Sequence, residues 1–224
     1  MELKGKIVLI TGSSKGIGEE IAYAFSKEGT KVIVTYNSDE ESAKKVEEKC
    51  KELGASGTLI IPLDVSSNES IESSKSEIED KWGHIDILVN NAGVISWERF
   101  TQETFEEIEK QVRVNLEGVI KMTLTFMPMI KQGLINIASR AGHLPYPGRA
   151  TYCATKFGVV GFTKSIALEY PDLKIFTVSP GATKTEMWDF ESGTEPSEVA
   201  SLIIKAWKGE VKLKDGDLPV WEMI

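Results

Sequence analysis

Two residues with acid–base potential, Tyr152 and Lys156, stand four positions apart in a stretch with helical composition. In a helix, residues at this spacing share a face and lie about 6 Å apart along the axis. A free tyrosine has a pKa of about 10 and is a poor acid–base catalyst at neutral pH. A neighbouring ammonium favours the phenolate, and lowering the tyrosine pKa to about 8 requires about 2.7 kcal/mol. The pair predicts a tyrosine acid–base catalyst, and the alternative is an ordinary helix surface.

Two further polar residues are candidates for the same site. Ser139 precedes Tyr152 by 13 residues and follows a predicted strand, so its hydroxyl could donate a hydrogen bond to a substrate carbonyl. Asn115 lies inside a long predicted helix, where propensity does not favour asparagine. The alternative for Asn115 is an amide that is solvated or satisfied within the core. These two side chains complete a candidate catalytic group of four.

The segment between the first predicted strand and the first predicted helix is rich in glycine, with Gly12, Gly16 and Gly18. Glycine lets the backbone turn sharply and approach a pyrophosphate closely. The N-terminus of the following helix offers free N–H groups and a partial positive charge. The spacing differs from the commoner Gly-x-Gly-xx-Gly, but its place at the first strand–helix turn predicts a dinucleotide site. The alternative is a tight turn without a ligand.

The residues after the second predicted strand indicate which dinucleotide binds. An acidic residue there would hold the ribose 2′-hydroxyl of NAD and would repel a 2′-phosphate. This chain has Tyr36, Asn37 and Ser38 at that place, and Asp39 is expected to cap the next helix. Lys15 in the glycine loop adds a positive charge near the same ribose, unless it is simply a solvated loop lysine. We therefore expect NADP(H) to be favoured, with NAD(H) as the alternative.

Short apolar strands alternate with longer helices along the chain, which predicts a parallel sheet covered on both faces. Right-handed crossovers give the doubly wound arrangement, in which ligands bind beyond the carboxyl ends of the strands. We expect an α/β Rossmann fold over residues 1–224, a single domain with a mostly parallel sheet of about seven strands flanked by helices. Strands are predicted at 6–11, 31–36, 58–63, 85–89, 134–138, 173–178 and 218–223, and helices at 16–28, 39–53, 67–82, 101–131, 151–169 and 196–208.

Composition and charge argue against several classes of function. The 224 residues include 26 Lys and Arg against 34 Asp and Glu, a formal net charge of −8, so we expect no nucleic-acid partner. Two cysteines and two histidines predict neither a disulfide framework nor a metal site. No apolar run of about 18 residues and no targeting segment is apparent, so we expect no membrane association and a cytoplasmic location.

Taken in order, these motifs resemble the short-chain dehydrogenase/reductase family. The matching residues are Thr11-Gly12, Gly16 and Gly18, Leu63-Asp64-Val65, Asn90-Asn91-Ala92-Gly93, Asn115, Ser139, Tyr152 with Lys156, and Pro180-Gly181 with Thr185. They span most of the chain in the family's order. The resemblance implies an oxidoreductase that transfers hydride between NADP(H) and a small carbonyl or alcohol substrate.

The resemblance also implies a role for each residue. Tyr152 would be the general acid or base, Lys156 would lower its pKa, and both would contact the cofactor. Ser139 would position the carbonyl oxygen, and Asn115 would hold a water in a proton relay. The remaining residues expected to contact the cofactor are Gly12, Ser14, Lys15, Gly16, Ile17, Gly18, Tyr36, Asn37, Ser38, Asp64, Val65, Asn90, Ala92, Gly93, Pro180, Gly181, Thr183 and Thr185.

The C-terminal part departs from the family pattern. The usual Asp-Gly-Gly ending is replaced by residues 216–224, and Phe176 stands where an asparagine usually precedes Pro-Gly. The first half resembles the 3-oxoacyl-carrier-protein reductases, which gives the alternative function. The acidic charge of the chain and the short turn predicted at 131–133 argue against docking of an acidic carrier. A catalytically silent dinucleotide-binding regulatory protein is a further alternative, as is an epimerase or dehydratase.

Apolar side chains predict the substrate pocket and a subunit interface. The carbonyl is expected to be surrounded by Ile95, Leu144, Tyr146, Met187, Trp188 and Phe190, which favour a neutral or mainly apolar ketone or aldehyde. His143 and Cys153 are expected to have no catalytic role. The predicted helix 101–131 carries apolar residues on more than one face. The resemblance implies a homodimer formed there, or a homotetramer.

Overall fold

The computed structural model describes residues 2–188 and 193–224, and a parallel seven-stranded sheet forms its centre. The strands are β1 (Ile7–Ile10), β2 (Lys31–Tyr36), β3 (Gly57–Pro62), β4 (Ile85–Asn90), β5 (Ile130–Ile137), β6 (Lys174–Val178) and β7 (Asp217–Leu218). Their order is β3-β2-β1-β4-β5-β6-β7, so the direction of winding reverses between β1 and β4. The predicted doubly wound Rossmann fold is confirmed, and a ligand site is expected beyond the carboxyl ends of β1 and β4.

Seven α-helices cover the sheet in the described part of the chain. They are α1 (Gly16–Lys27), α2 (Glu40–Glu52), α3 (Asn68–Trp82), α4 (Phe105–Val112), α5 (Gly118–Phe126), α6 (Ala150–Glu169) and α7 (Pro196–Lys208). Asp39 caps α2 by accepting a hydrogen bond from the Ser42 N–H, as predicted. Gly83 ends α3 in the left-handed conformation that favours glycine. These local signals explain why most helix boundaries agree with the prediction within one residue.

The two larger apolar clusters fill most of the space between the sheet and the helices. On one face, the cluster includes Phe25 of α1, Val46 of α2 and Trp207 of α7. On the other face, it includes Ile78 of α3 and Phe126 of α5. The strands are therefore covered on both sides, which accounts for their nearly continuous apolar sequences.

The prediction of a single helix over residues 101–131 is wrong. α4 begins at a capping box, in which the Thr104 hydroxyl accepts from the Glu107 N–H at 3.2 Å and the Glu107 carboxylate accepts from the Thr104 N–H at 2.8 Å. α4 and α5 are then joined by a π-helical segment, Arg113–Glu117. The apolar spacing continues through this segment, so the pattern alone could not reveal the interruption.

The fifth strand begins at Ile130, four residues before the predicted start. Pro128 lies in a 3-10 turn that ends the preceding helical region, so its effect is stronger than the expected distortion. Residues 131–133, predicted as a turn, belong to β5. Gly133 is needed there because a Cβ would lie 2.1 Å from the carbonyl oxygen of Lys174 on β6. Sheet pairing overrides the turn composition at this position.

The last strand is shorter than the predicted range 218–223. β7 contains only Asp217 and Leu218, and a 3-10 turn follows at Val220–Glu222. Pro219 accounts for the difference because it has no N–H to donate to the sheet. The chain after β6 therefore ends in a turn packed against the sheet.

A buried polar cluster ties this C-terminal turn to two neighbouring loops. The Asp217 carboxylate, 3% exposed, accepts hydrogen bonds from the hydroxyls of Thr177 at 2.5 Å and Ser179 at 2.7 Å. The same carboxylate lies 3.4 Å from Nε2 of His143, and the His143 ring packs 4.9 Å from the Trp221 ring. His143, which follows Ser139 by four residues, thus belongs to a structural cluster.

Candidate active site

A cleft of about 1130 Å³ lies at the carboxyl ends of the strands. Its volume exceeds the roughly 300–1,000 Å³ of a pocket for one small molecule, so it has room for a cofactor and a substrate together. Most of the predicted site residues line it: Gly12, Ser14, Lys15, Gly16, Ile17, Asn37, Ser38, Asp64, Val65, Ala92, Gly93, Ser139, Tyr152, Lys156, Pro180, Gly181, Thr183 and Thr185.

The glycine loop has the geometry that an anionic group needs. Gly12 and Gly16 have φ values of 62° and 63°, in the region that favours glycine. A Cβ on Gly12 would lie 3.1 Å from the Cα of Ala92, so a larger residue would crowd the two loops together. α1 begins at Gly16 without a side-chain cap on its N–H groups. These free N–H groups and the helix dipole fit the pyrophosphate of a nicotinamide dinucleotide.

Side chains outside the predicted set hold the glycine loop in place. The Thr11 hydroxyl accepts hydrogen bonds from the N–H groups of Asn91 and Ala92, both at 2.9 Å. The Asn91 amide donates to the carbonyl oxygens of Thr11 at 2.9 Å and Gly12 at 3.0 Å. The loops after β1 and β4 are therefore cross-linked at the switch point. The motifs contained both residues, but only their contacts reveal this bracing role.

Three residues predicted to contact the cofactor lie outside the lining of the cleft. Gly18 is buried, and a Cβ there would lie 2.4 Å from the Asn91 amide nitrogen and the Gly12 carbonyl oxygen, so its role is close packing. Tyr36 is half-buried and packs against the apolar cluster on the α1 side of the sheet, and the next residue, Asn37, lines the cleft instead. These two corrections follow from strand and helix direction, which a motif does not give.

Asn90 is the third such residue, and it is 2% exposed. Its amide donates to the Asn136 side-chain oxygen at 2.9 Å and to the Thr123 hydroxyl at 3.2 Å. Asn90 thus links β4 to β5 and α5 in the interior, and Asn91 reaches the cleft in its place. Adjacent residues of a strand point to opposite faces, which explains the exchange.

Tyr152 lies in the first turn of α6 and is partly buried in the wall of the cleft. Burial raises its pKa to about 12, and a hydrogen bond with the Ser139 side chain opposes the rise. At neutral pH the phenol is therefore protonated and can donate. The Ser139 hydroxyl lies beside it because Ser139 follows the last residue of β5 by two positions and caps the short turn that begins at Arg140, accepting from the Ala141 N–H at 3.1 Å.

Lys156 lies one helical turn beyond Tyr152, with its Nζ 5.7 Å from the centre of the phenol ring. The ammonium donates to the Ile137 carbonyl oxygen at 2.9 Å. The side chain is 4% exposed, and burial lowers its pKa to about 8. Burial is the largest cause of the pKa shift at both residues, and the effect of Lys156 on the Tyr152 pKa stays a prediction.

Asn115 lies in the π-helical segment between α4 and α5 and is fully buried. Its side-chain oxygen accepts from the Val94 N–H at 2.7 Å, and its amide donates to the Val94 carbonyl oxygen at 2.7 Å. The side chain is therefore committed to the backbone of the loop after β4. These contacts involve the Asn115 side chain, and the expectation that Asn115 holds a water in a proton relay stays a prediction. Its structural effect is to position the wall formed by Gly93 and Val94.

Lys15, predicted to meet a 2′-phosphate, forms an ion pair across the cleft. Its Nζ lies 2.7 Å from a carboxylate oxygen of Glu186, and both side chains are exposed. Lys15 also lowers the pKa of the Asp39 carboxyl, after the larger effects of the hydrogen bonds from Ser42. Asp39 and Glu186 both line the cleft. The lysine therefore stands among carboxylates, which the sequence motif did not indicate.

The other end of the cleft has aromatic walls. The rings of Trp97 and Trp188 lie 4.8 Å apart, and the Arg149 guanidinium lies 4.1 Å from the centre of the Trp97 ring. Of the residues predicted to surround a substrate, Ile95, Tyr146, Met187 and Trp188 line the cleft. Leu144 is 46% exposed and is not part of the lining, and Phe190 lies outside the described residues.

Comparison with known proteins agrees with this geometry. The family model described as short chain dehydrogenase matches residues 6–195, which include the glycine loop, Ser139, Tyr152 and Lys156. The chain belongs to the short-chain dehydrogenase family. This dehydrogenase is accordingly an oxidoreductase acting on CH–OH or C=O groups.

Two relatives illustrate the breadth of the similarity. The chain is 36% identical over 191 residues to 3beta-hydroxysteroid dehydrogenase 1 of Eggerthella lenta, covering 82% of this chain and 73% of that protein. It is 35% identical over 216 residues to a 3-oxoacyl-[acyl-carrier-protein] reductase of Haemophilus influenzae, covering 94% and 87%. The likeness to the carrier-protein reductases therefore extends well beyond the first half.

A solved structure, an alcohol dehydrogenase from the archaeon Thermococcus sibiricus complexed with 5-hydroxy-NADP, superposes with a TM-score of 0.88 at 26% identity. The match covers 96% of both chains. The similarity supports a nicotinamide dinucleotide as the cofactor of this short-chain dehydrogenase.

Within residues 2–188 and 193–224 of the dehydrogenase, no group of three or more His, Cys, Asp or Glu side chains is arranged to hold a metal ion. No helix there has the length and apolar character needed to cross a bilayer. Cys50 and Cys153 are both buried with free thiols, as expected for packing residues.

Proposed function

We propose that this short-chain dehydrogenase is an NADP(H)-dependent reductase of small carbonyl compounds, with Tyr152 as the general acid or base. The whole chain is taken as one cofactor-binding and catalytic domain. The observation that carries the proposal is the placement of Ser139, Tyr152 and Lys156 on one wall of the cleft that the glycine loop also lines. A dinucleotide-binding protein without catalysis has no need of these three side chains together.

The chain's own residues account for orientation and proton transfer. The nicotinamide supplies the hydride when it is bound. The Ser139 hydroxyl can donate a hydrogen bond to the substrate carbonyl, which fixes the oxygen beside the Tyr152 phenol. The phenol is protonated at neutral pH, so it can give its proton to that oxygen as negative charge develops. The nearby Lys156 ammonium then favours the phenolate that remains.

A screen for cofactor oxidation tests the proposed reaction. We expect NADPH absorbance to fall when the protein is mixed with apolar ketones or aldehydes, and to rise when NADP is mixed with the matching alcohols. Tight NADPH binding without turnover of any carbonyl or alcohol, with either cofactor, would instead indicate the silent regulatory protein. Isomerised or dehydrated product without net cofactor turnover would indicate an epimerase or dehydratase.

The proposed preference for NADP(H) depends on Lys15, which must leave Glu186 to reach a 2′-phosphate. An exposed pair contributes about 0.2–1 kcal/mol, so Glu186→Gln should tighten NADPH binding up to about fivefold. Lys15→Ala should weaken NADPH binding more than NADH binding and should remove the effect of Glu186→Gln. Dissociation constants for both cofactors in the single and double variants measure this coupling.

Glu222→Gln is the matched control for this cycle. Glu222 forms an ion pair with Lys214 at 3.0 Å, and this pair lies away from the glycine loop. The control variant should leave both dissociation constants unchanged. Tighter binding of NADH than of NADPH to the wild-type protein would show that the cofactor preference is wrong. A Glu186→Gln effect that persists without Lys15 would show that the two side chains do not compete.

A second candidate function is reduction of 3-oxoacyl groups on a carrier protein. The extent of the similarity to the Haemophilus influenzae reductase favours it. Residues 131–133 lie in β5 and do not form the expected turn, so a short turn there no longer counts against docking of a carrier. Turnover of a carrier-bound 3-oxoacyl substrate should be compared with that of free ketones. A rate higher by orders of magnitude, and lowered by salt, would favour the carrier.

We also propose a homodimer formed through the exposed apolar residues of α4, α5 and α6. Phe105 is 84% exposed, Leu124 is 75% exposed and Leu168 is 84% exposed. The buried stripe of α5 is formed by Val119, Met122 and Phe126, so Leu124 lies on a second face. Such apolar area on helices is typical of an interface between subunits. A homotetramer that contains this dimer is the alternative assembly.

Light scattering should detect a dimer at micromolar concentration, and Leu124→Glu should shift it toward monomer because a buried unpaired charge is costly. Ile224→Glu, at an exposed apolar residue of the C-terminal turn, is the control and should leave the dimer intact. A monomeric wild-type protein would reject the interface.

A further inference from the structure

Charged side chains are unevenly distributed along the cleft. The lining carboxylates are Glu19, Glu20, Asp39, Asp64 and Glu186. The first four follow β1, β2 and β3, and Glu186 pairs with Lys15 of the glycine loop. The lining residues described after β4, after β5 and at the start of α6 include no carboxylate, although Arg140 and Arg149 are among them. Among the lining side chains, those at the substrate end of the cleft, beside Ser139 and Tyr152, therefore carry the more positive charge.

Arg149 is the cation best placed to act on a substrate. It directly precedes α6, three residues before Tyr152, which corresponds to about 4.5 Å along a helix axis. It is half-buried, whereas Arg140 is exposed. A charge that is partly removed from water interacts more strongly with a nearby ion than an exposed charge does.

The contacts of Arg149 leave its charge uncompensated within the described part of the chain. Its guanidinium stacks on the Trp97 ring and donates to the backbone oxygens of Trp97 and Gly148. None of the ion pairs among the described residues includes Arg149. The stacked guanidinium remains planar and keeps further N–H groups that can match a carboxylate. A ligand carboxylate would recover part of the cost of burying this charge.

We propose that the physiological substrate is an oxo acid, with an apolar body between its carbonyl group and a distant carboxylate that pairs with Arg149. The inference rests on the proposed carbonyl reduction and specifies its substrate class. The carbonyl lies at Ser139 and Tyr152, the body packs against Trp97 and Trp188, and the carboxylate meets the guanidinium at the edge of Trp97. The proposed oxo acid differs from the neutral ketone expected from the sequence in having one charged end.

Matched substrates test the inference. A straight-chain oxo acid, its methyl ester and its primary amide share a carbonyl and an apolar body but differ in charge. The wild-type protein should show a kcat/KM for the acid roughly tenfold above that for the ester and the amide, mostly through KM. Raising the salt concentration should reduce this preference. A chain-length series of oxo acids locates the distance at which the carboxylate is best recognised.

Three variants assign the preference to one side chain. Arg149→Gln should bring the acid-to-ester ratio close to one, and Arg149→Lys should restore it in part, because the charge returns without the planar stack. Arg113→Gln removes the same charge from a surface pair with Glu109, outside the main cleft, and should keep the wild-type ratio.

Equal reduction of acid, ester and amide by the wild-type protein would overturn the inference and leave carbonyl reduction standing. An acid preference that survives in Arg149→Gln would overturn it as well. Failure to reduce any of the three, together with failure in the wider carbonyl screen, would instead remove the proposed function on which it rests.

Discussion

Tyr152→Phe should lower kcat at least roughly a hundredfold, with little change in the dissociation constant for NADPH. The phenylalanine keeps the ring and the helix but removes the only proton that Tyr152 can give to a carbonyl oxygen. Because the Tyr152 pKa is raised to about 12, the wild-type phenol carries this proton throughout the neutral range. Steady-state rates and cofactor titrations on the same preparations separate the loss of proton transfer from any loss of binding.

Tyr170→Phe is the matched control, since Tyr170 ends the same helix, is 40% exposed and lies outside the cleft. It should keep the wild-type rate. A Tyr152→Phe variant that turned over at the wild-type rate would contradict the assignment of the general acid. Ser139→Ala would then be the informative variant, because the serine hydroxyl is the other group that can reach the carbonyl.

Lys156→Met should make the protein more stable at pH 7 while it abolishes most of the activity. Burial lowers the Lys156 pKa from 10.5 to about 8. Keeping this lysine charged at neutral pH therefore costs free energy in the folded protein but not in the unfolded chain. The difference between these two pKa values corresponds to about 3 kcal/mol of stability that Lys156→Met would recover. The variant also loses the hydrogen bond to Ile137, which reduces this gain by about 1 kcal/mol. Urea unfolding should therefore show a gain of about 2 kcal/mol.

The pH dependence gives this prediction a definite sign. Between about pH 8 and 10.5 the unfolded chain binds more protons at Lys156 than the folded protein does, so this group makes wild-type stability rise with pH there. The advantage of Lys156→Met should shrink across the same interval. Lys164→Met, a change at an exposed residue of α6, should show neither effect. A Lys156→Met variant less stable than wild type at pH 7 would show that the ammonium is stabilised by its surroundings.

The sequence predicted the fold because its local signals agree with one another. Gly83, Asp39 and the apolar strands each indicate the same boundaries that the sheet requires. The errors lie where contacts distant in sequence decide. The short β7 depends on Pro219, and the early start of β5 depends on pairing of Ile130 with Ile85 of β4.

The residues that line the cleft could be predicted by type and order, but their contacts could not. Motif spacing brought Ser139, Tyr152 and Lys156 together because each follows or faces the carboxyl end of β5. It could not show that Asn115 is committed to Val94, because that depends on the π-helical segment. It also could not show Lys15 beside Glu186, since these residues are 171 positions apart in sequence.

The cluster around Asp217 links the candidate active site to β7, the strand at one edge of the sheet. The backbone N–H of Ser179 donates to the Leu218 carbonyl at 2.9 Å, and Ser179 is followed by Pro180 and Gly181 of the cleft. Through His143 the same carboxylate also holds the loop that begins at Ser139. One buried carboxylate therefore holds both walls of the cleft, so a change at Asp217 would loosen the two walls together.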